Sequence, residues 1–395
     1  MTSWITSLLV LAVAASAHAQ DKPAQGKSVL VGTVVSKSGV NADLAAGYAK
    51  GIQLWEAQVN AAGGLLGRPV EVKMLDDGSD AVRAGELYRQ LIREAGADAL
   101  IGPYGSAATK VASGEAERER KVMVNGAGPA QVVHEGQSRF LFQTGSAYAH
   151  RGEGVLQVAR KAGLTRLYIV ARQDLASQEI AEATRIAALA QGFTVPEVET
   201  YPPYTLDFIP YVERAKRSQA QAWIAFAEVR DAADMVKTFR KTGYAPQLFY
   251  ARRAAEPAFV TAVGQDAEFT LAEIDYAPGL KRPTNAEFVK AYTAKWSAAP
   301  GVAAAEGYGA ASVLGEAVRQ AGSLETDKLR ATLAKLQTDT PLGAYRVGAN
   351  GEQVGIVPAV AQIQRGKPQV IWPAELQTGA PLQTYLPWKE RQLIQ

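Results

Sequence analysis

Strand-length apolar runs alternate with helix-length amphipathic segments along nearly the whole chain, and the alternation starts afresh after Gly145. This rhythm restricts the fold more than any other feature. A strand–helix–strand unit returns each strand parallel to the last and leaves helices on the faces of the sheet. Residues 28–35 are almost continuously apolar, as in a strand buried on both faces. Tyr48, Ile52, Trp55 and Val59 recur on one helical face, and that helix stops at Gly63-Gly64. In residues 69–75, Val70, Val72 and Met74 alternate with Glu71 and Lys73, which predicts a half-exposed edge strand. Asp80 stands where it can cap the next helix, with Leu87, Leu91 and Ala95 inward. A strand over 97–101, a helix over 106–118 and a strand over 121–124 complete the first series. The second series predicts strands over 166–171, 193–198, 221–227, 247–251 and 268–276, with helices over 176–191, 208–218 and 231–242. Helices over 285–297, 303–321 and 325–336 follow, then a hairpin of 355–364 with 368–372 turning at Arg365-Gly366-Lys367. The fold class is α/β, with two parallel sheets covered by helices.

A length of 395 residues exceeds what one core usually serves, which agrees with two domains. The formal charge of +3 is scattered rather than striped, so no footprint for nucleic acid or an anionic membrane is present. The absence of cysteine excludes disulfides, thiolate metal sites and thiol catalysis. Residues 5–15 are apolar but too short to span a bilayer, and Ala17-His18-Ala19 follows as a small-x-small cleavage pattern. Residues 1–19 are therefore expected to be a signal peptide, and without cysteine there is no acceptor for a lipid anchor.

Catalytic arrangements are weak. Gly63-Gly64-Leu65-Leu66-Gly67 has no lysine-Ser/Thr ending and precedes a strand, so it reads as a helix stop rather than a phosphate loop. His134 and His150 sit in no metal-ligand spacing, and Asp76-Asp77 before Gly78 reads as a solvated turn. No enzyme activity, metal or cofactor is expected. Ile101-Gly102-Pro103-Tyr104-Gly105-Ser106 is more informative, because it leaves a short strand and enters a helix that Ser106 can cap. Free N–H groups at that helix start suit a carboxylate. The loop Ser36-Lys37-Ser38-Gly39 leaves the first strand at the same edge, which makes Ser38 a second candidate contact.

Several stretches together resemble the branched-chain amino-acid-binding family of type I periplasmic receptors. They are residues 31–52, Asn60 through Arg68, Asp76-Asp77, residues 101–109, Gly163-Leu164, Thr205-Leu206-Asp207-Phe208 and Pro341-Leu342-Gly343. The resemblance runs from about Lys27 to Trp372 and is closer in the first half. It implies two Rossmann-like lobes joined by three hinge crossovers, with lobe one at 27–146 plus 277–350 and lobe two at 147–276 plus 351–395. It also implies a ligand sealed between the lobes by hinge closure and delivered to the permease and ATPase subunits of an ABC importer. The protein is expected to be a monomer in the periplasm.

Carried over residue by residue, the family's carboxylate-binding serine matches Ser106, flanked by Tyr104 and Thr109, and a backbone contact matches Ala127. Other positions depart. A threonine of the family is Pro129 here, a tyrosine-glycine loop is Ala176-Ser177, and an aspartate near the first crossover is Tyr148. The position that often supplies a carboxylate for the ligand's ammonium group is Arg252, a residue that suits carboxylates instead. Glu228 is the remaining candidate for the ammonium. An amino acid is the expected ligand. The alternatives are an aromatic or other organic acid lacking an amine, suggested by Tyr104, Tyr148 and Tyr250, and a ligand-sensing partner of a membrane sensor.

Overall fold

The computed structural model describes residues 26–128 and 138–391. The expected signal peptide, Pro129, His134 and the last four residues of the expected second lobe lie outside them. The first series comprises β1 (Val29–Val34), α1 (Ala42–Ala61), β2 (Val70–Leu75), α2 (Ala81–Arg93), β3 (Ala99–Ile101), α3 (Ser106–Arg118), β4 (Met123–Asn125) and β5 (Leu141–Gln143). Its strands form one sheet in the order β2-β1-β3-β4-β5, parallel throughout. As expected, β2 lies at an edge, with its outward side chains exposed.

The second series comprises α4 (Glu153–Lys161), β6 (Leu167–Arg172), α5 (Leu175–Ala190), β7 (Val198–Tyr201), α6 (Ile209–Arg217), β8 (Ala222–Phe226), α7 (Val229–Thr242), β9 (Leu248–Ala251), α8 (Pro257–Val263) and β10 (Leu271–Ile274). Next come α9 (Asn285–Trp296), α10 (Val302–Ala321), α11 (Thr326–Leu333) and a small ribbon of β11 (Thr338–Thr340) and β12 (Gly343–Tyr345). The chain ends on β13 (Ala359–Gln364), β14 (Lys367–Trp372) and α12 (Trp388–Arg391). The second sheet runs β14-β13-β10-β9-β8-β6-β7. It is mixed rather than parallel, because β13 is antiparallel to β10 and β14 to β13. Arg365 and Gly366 explain the second of these reversals, the expected hairpin. Both have positive φ, 55° and 72°, the geometry a two-residue hairpin requires, whereas a parallel pair needs a long crossover.

Helices α9 and α10 pack on α1, and α10 also on β3 and β4, so the chain returns to the first sheet after β10 and leaves it again after β12. Together with the passage after β5, this makes three crossovers. The α1–α10 seam is close: a Cβ on Gly307 would lie 2.1 Å from the Tyr48 carbonyl oxygen, so only glycine permits the approach. Tyr48, Ile52, Trp55 and Val59 are buried there, as their spacing predicts.

Three differences have local causes. The inner face of α2 is Ala84, Tyr88, Leu91 and Ile92, while Leu87 and Ala95 are half-buried. Tyr88 tolerates full burial because its hydroxyl donates to the Ile101 carbonyl at 2.7 Å and accepts from Val34 N at 3.3 Å. The strand expected over 193–198 pairs continuously only from Val198; Thr194 makes an isolated bridge to Arg166. Finally, β5, α4 and α8 are not among the elements expected from the sequence; they span only three, nine and seven residues. Among the described residues, no helix is long and apolar enough to cross a membrane.

Candidate ligand-binding site

Three loops at the C-terminal edge of the first sheet carry most of the expected contacts. After β3, the cap position of α3 is Gly105, at φ 95° and ψ 143°, and no side chain caps the helix. The expectation that Ser106 is the cap is corrected: Ser106 is the first helical residue. Glycine at the cap leaves the first-turn N–H groups open, and the Ser106 hydroxyl has no partner among the described residues. A Cβ on Gly128 would lie 2.6 Å from Ser106 N, so the loop after β4 closes directly on this turn. Tyr48 orders both loops, donating from its hydroxyl to the Gly102 carbonyl at 3.1 Å and accepting from Gly126 N at 3.2 Å. Tyr104 meets Tyr48 edge-on, with ring centroids 6.0 Å apart.

The remaining candidates on this side are engaged within the protein. Thr109 is buried, and its hydroxyl donates to the Gly105 carbonyl at 2.9 Å and accepts from Asn125 Nδ2 at 3.3 Å. Its place is therefore beneath the turn, where it positions Gly105. Ala127 is buried and its carbonyl accepts from Asn125 Nδ2. Ser38 is exposed, and its carbonyl accepts from Ser79 Oγ at 2.6 Å. Asp76-Asp77 is not simply a solvated turn. Asp77 is 2% exposed and accepts from Ser36 Oγ at 2.7 Å, while Asp76 accepts from Lys37 N at 2.9 Å, so the pair staples two loops together.

The other side comes from the second sheet and the crossovers. Arg151 follows Tyr148, stacks over its ring at 5.4 Å, and pairs with Glu273 and with Asp275 at 2.6 Å. Burial raises the Tyr104 hydroxyl above its usual range, reinforced by the charge of Glu306 and opposed by Arg253 and Arg151. Arg252, expected to suit a ligand carboxylate, is engaged by a carboxylate of the protein itself. Its guanidinium lies 3.3 Å from Glu228, and Arg253 shares the same carboxylate at 3.3 Å. Arg252 and Glu228, read as alternatives, neutralise each other. Tyr250 is buried in the second core, where its hydroxyl feels the charges of Glu273, Arg252 and Arg151. Ser177 is turned inward in the first turn of α5, donating from its hydroxyl to the cap residue Asp174 Oδ2 at 3.0 Å.

Sequence reasoning did not single out Arg151, Glu273, Asp275 or Glu306. Burial raises the Glu273 carboxyl to about 7 and the Glu306 carboxyl to about 8, with Asp275 adding to both and Arg151 opposing. The available signal was a charged residue on an otherwise small, apolar helix stretch, Ala303-Ala304-Ala305-Glu306-Gly307. A separate depression of about 490 Å³ runs along the α1–β2 flank, lined by Ser36, Lys37, Gln53, Glu56 and Met74 among others, and touches none of these groups. Among the described residues, no cluster of His, Asp or Glu could hold a metal ion.

The family described as periplasmic binding protein matches residues 28–368. A Leu/Ile/Val-binding protein homolog of Brucella abortus is 24% identical over 372 residues, spanning 87% of this chain and 90% of that one. The branched-chain amino acid transporter substrate-binding protein of Streptococcus pneumoniae, solved with isoleucine, superposes with a TM-score of 0.68 at 20% identity, over 88% of this chain and all of that one. An R. palustris ABC-transporter solute-binding protein, solved with benzoate, also gives 0.68 at 21% identity, over 90% of this chain and 99% of that one. The neighbours share the two-sheet architecture joined by three crossovers, and the matched family is a group of transporter receptors, not enzymes. With the match extending from the first strand into the last, the chain belongs to the periplasmic binding protein family.

Proposed function

We propose that this protein captures a small carboxylate-bearing ligand, an amino acid, between two lobes and delivers it to the permease and ATPase subunits of an ABC importer. The lobes are residues 27–146 with 277–350 and residues 147–276 with 351–395. Residues 1–19 serve as the signal peptide that brings the chain to the periplasm. The observation that carries this reading is the open start of α3 at Gly105-Ser106, set beside Tyr104, whose hydroxyl feels the charges of Arg253 and Arg151. The N–H groups and the unpartnered Ser106 hydroxyl suit a carboxylate. A thermal-shift screen of amino acids and amine-free acids tests it. At a hundred times the dissociation constant, a true ligand stabilises by about 2.7 kcal/mol, enough for a rise of several degrees. A panel that leaves the midpoint unmoved contradicts the proposal.

A receptor for an aromatic acid lacking an amine is the second reading. Tyr104 and Tyr148 beside the same helix start favour it, as does the benzoate bound by the R. palustris neighbour. The same screen separates the two.

A further inference from the structure

We infer that Glu306 receives the ligand's positively charged nitrogen, so that the receptor selects amino acids over carboxylates lacking an amine. The inference rests on the proposed function and assigns the residue that would enforce its ligand class. Glu228, the acid expected for this task, already serves Arg252 and Arg253. Glu306 is in a different position. Although part of the residue stays accessible, its Oε2 is buried, and it makes no hydrogen bond or ion pair among the described residues. Leaving such an oxygen unpaired is unfavourable in a folded protein and calls for a partner.

The groups around Glu306 identify that partner's charge. Tyr48 from α1, Tyr104 from the β3–α3 loop, Asp275 from the end of β10 and Arg151 from the first crossover all interact with it electrostatically. Arg151 is the one cation in that set, and it is already shared by Glu273 and Asp275. Glu273 is 6% exposed, and its carboxyl shares a hydrogen bond with that of Asp275, so these two acids and Arg151 satisfy one another. Arg151 is committed to Glu273 and Asp275, so Glu306 alone is left with a buried carboxyl oxygen that no group of the protein satisfies among the described residues. Tyr104 and Ser106 belong to the same turn, so one small zwitterion can place its carboxylate on the α3 start and its ammonium against Glu306. The Tyr104 ring adds a face that attracts cations.

The test uses matched pairs: leucine with 4-methylpentanoate, phenylalanine with 3-phenylpropanoate, and glutamate with glutarate, with benzoate added. Binding of each to the full mature chain is measured by calorimetry at neutral pH in two buffers of different ionisation enthalpy. At least one amine-bearing member should bind far more tightly than its amine-free partner and release a proton on binding. Glu306→Gln should weaken that member roughly ten- to a hundredfold and abolish the proton release, while its ligand-free unfolding midpoint stays the same or rises. Glu306→Asp should retain part of the affinity. An amine-free acid that binds as tightly as its partner overturns the inference but leaves the receptor reading intact. Equal binding by wild type and Glu306→Gln also overturns it. Should no member of any pair bind, both fall together. The wild-type comparison of pairs needs no variant, so a misfolded substitution cannot obscure the result.

Discussion

Arg151 Nη1 lies 2.6 Å from Asp275 Oδ2, which ties the first crossover between the sheets to the second. The same guanidinium pairs with Glu273, and only 10% of the Arg151 side chain is exposed. Removing one partner of a buried ion pair leaves an uncompensated charge and typically costs about 3–5 kcal/mol. Arg151→Met should therefore lower stability by about that amount at neutral pH, and by less at acidic pH, where the freed carboxyls take up protons. Urea unfolding at two pH values measures this, and a change below about 1 kcal/mol at neutral pH contradicts it.

The ligand-free protein should become less stable as pH rises. Burial lifts the carboxyls of Glu273 and Glu306 from 4.5 to about 7 and about 8. A carboxyl raised in the folded state holds its proton longer there than in the unfolded chain. Its stabilising share is thus complete below about 4.5 and is lost progressively as pH climbs through 7 to 8. Unfolding midpoints across this range should fall in the wild type and flatten at the upper end in Glu306→Gln. Midpoints that climb steadily over the same range would refute the linkage.

Ser106→Ala should separate binding from stability. The hydroxyl has no partner among the described residues, so its loss should leave unfolding within about 0.5 kcal/mol of wild type. If it donates to a bound carboxylate, affinity for the ligand should drop roughly ten- to a hundredfold. Calorimetry with the ligand found by screening decides, and unchanged affinity would remove Ser106 from the site.

Arg252→Met should leave the choice of ligand unchanged, because its charge is already held by Glu228 at 3.3 Å. The same substitution frees Glu228 to act with Arg253 alone. A double-mutant cycle between Arg252 and Glu228 should yield a coupling of about 0.5–3 kcal/mol in stability. A new preference for ligands with one more positive charge, or one less, would show that Arg252 does face the ligand.

Most of the fold is visible in the chain because apolar runs and helical faces obey one period each. β1, α1 and β8 could be recognised from residues such as Val31, Trp55 and Trp223, all buried as their spacing predicts. The β13–β14 hairpin could be read from its turn at Arg365-Gly366-Lys367, but not that β13 joins the second sheet antiparallel to β10, because that direction depends on how the chain returns and not on local composition. The start of α3 could be read from Gly-Pro-Tyr-Gly-Ser, although the cap itself shifted by one residue to Gly105. The charge balance of the site could not. Arg151, Glu273, Asp275 and Glu306 come from three separate stretches, and each looks like an ordinary solvated charge until the crossovers bring them together. Arg252 misleads for the same reason, since its partner Glu228 lies on the preceding helix start.

A crystal structure of the protein with the amine-bearing ligand selected by screening tests the central claim most directly. The ligand carboxylate is predicted within about 3 Å of Ser106 and the first-turn N–H groups of α3, and its nitrogen within about 3 Å of Glu306, with Tyr104 between the two lobes. A ligand found elsewhere, such as in the depression along the α1–β2 flank, or one oriented with its nitrogen on Glu228, would contradict the account.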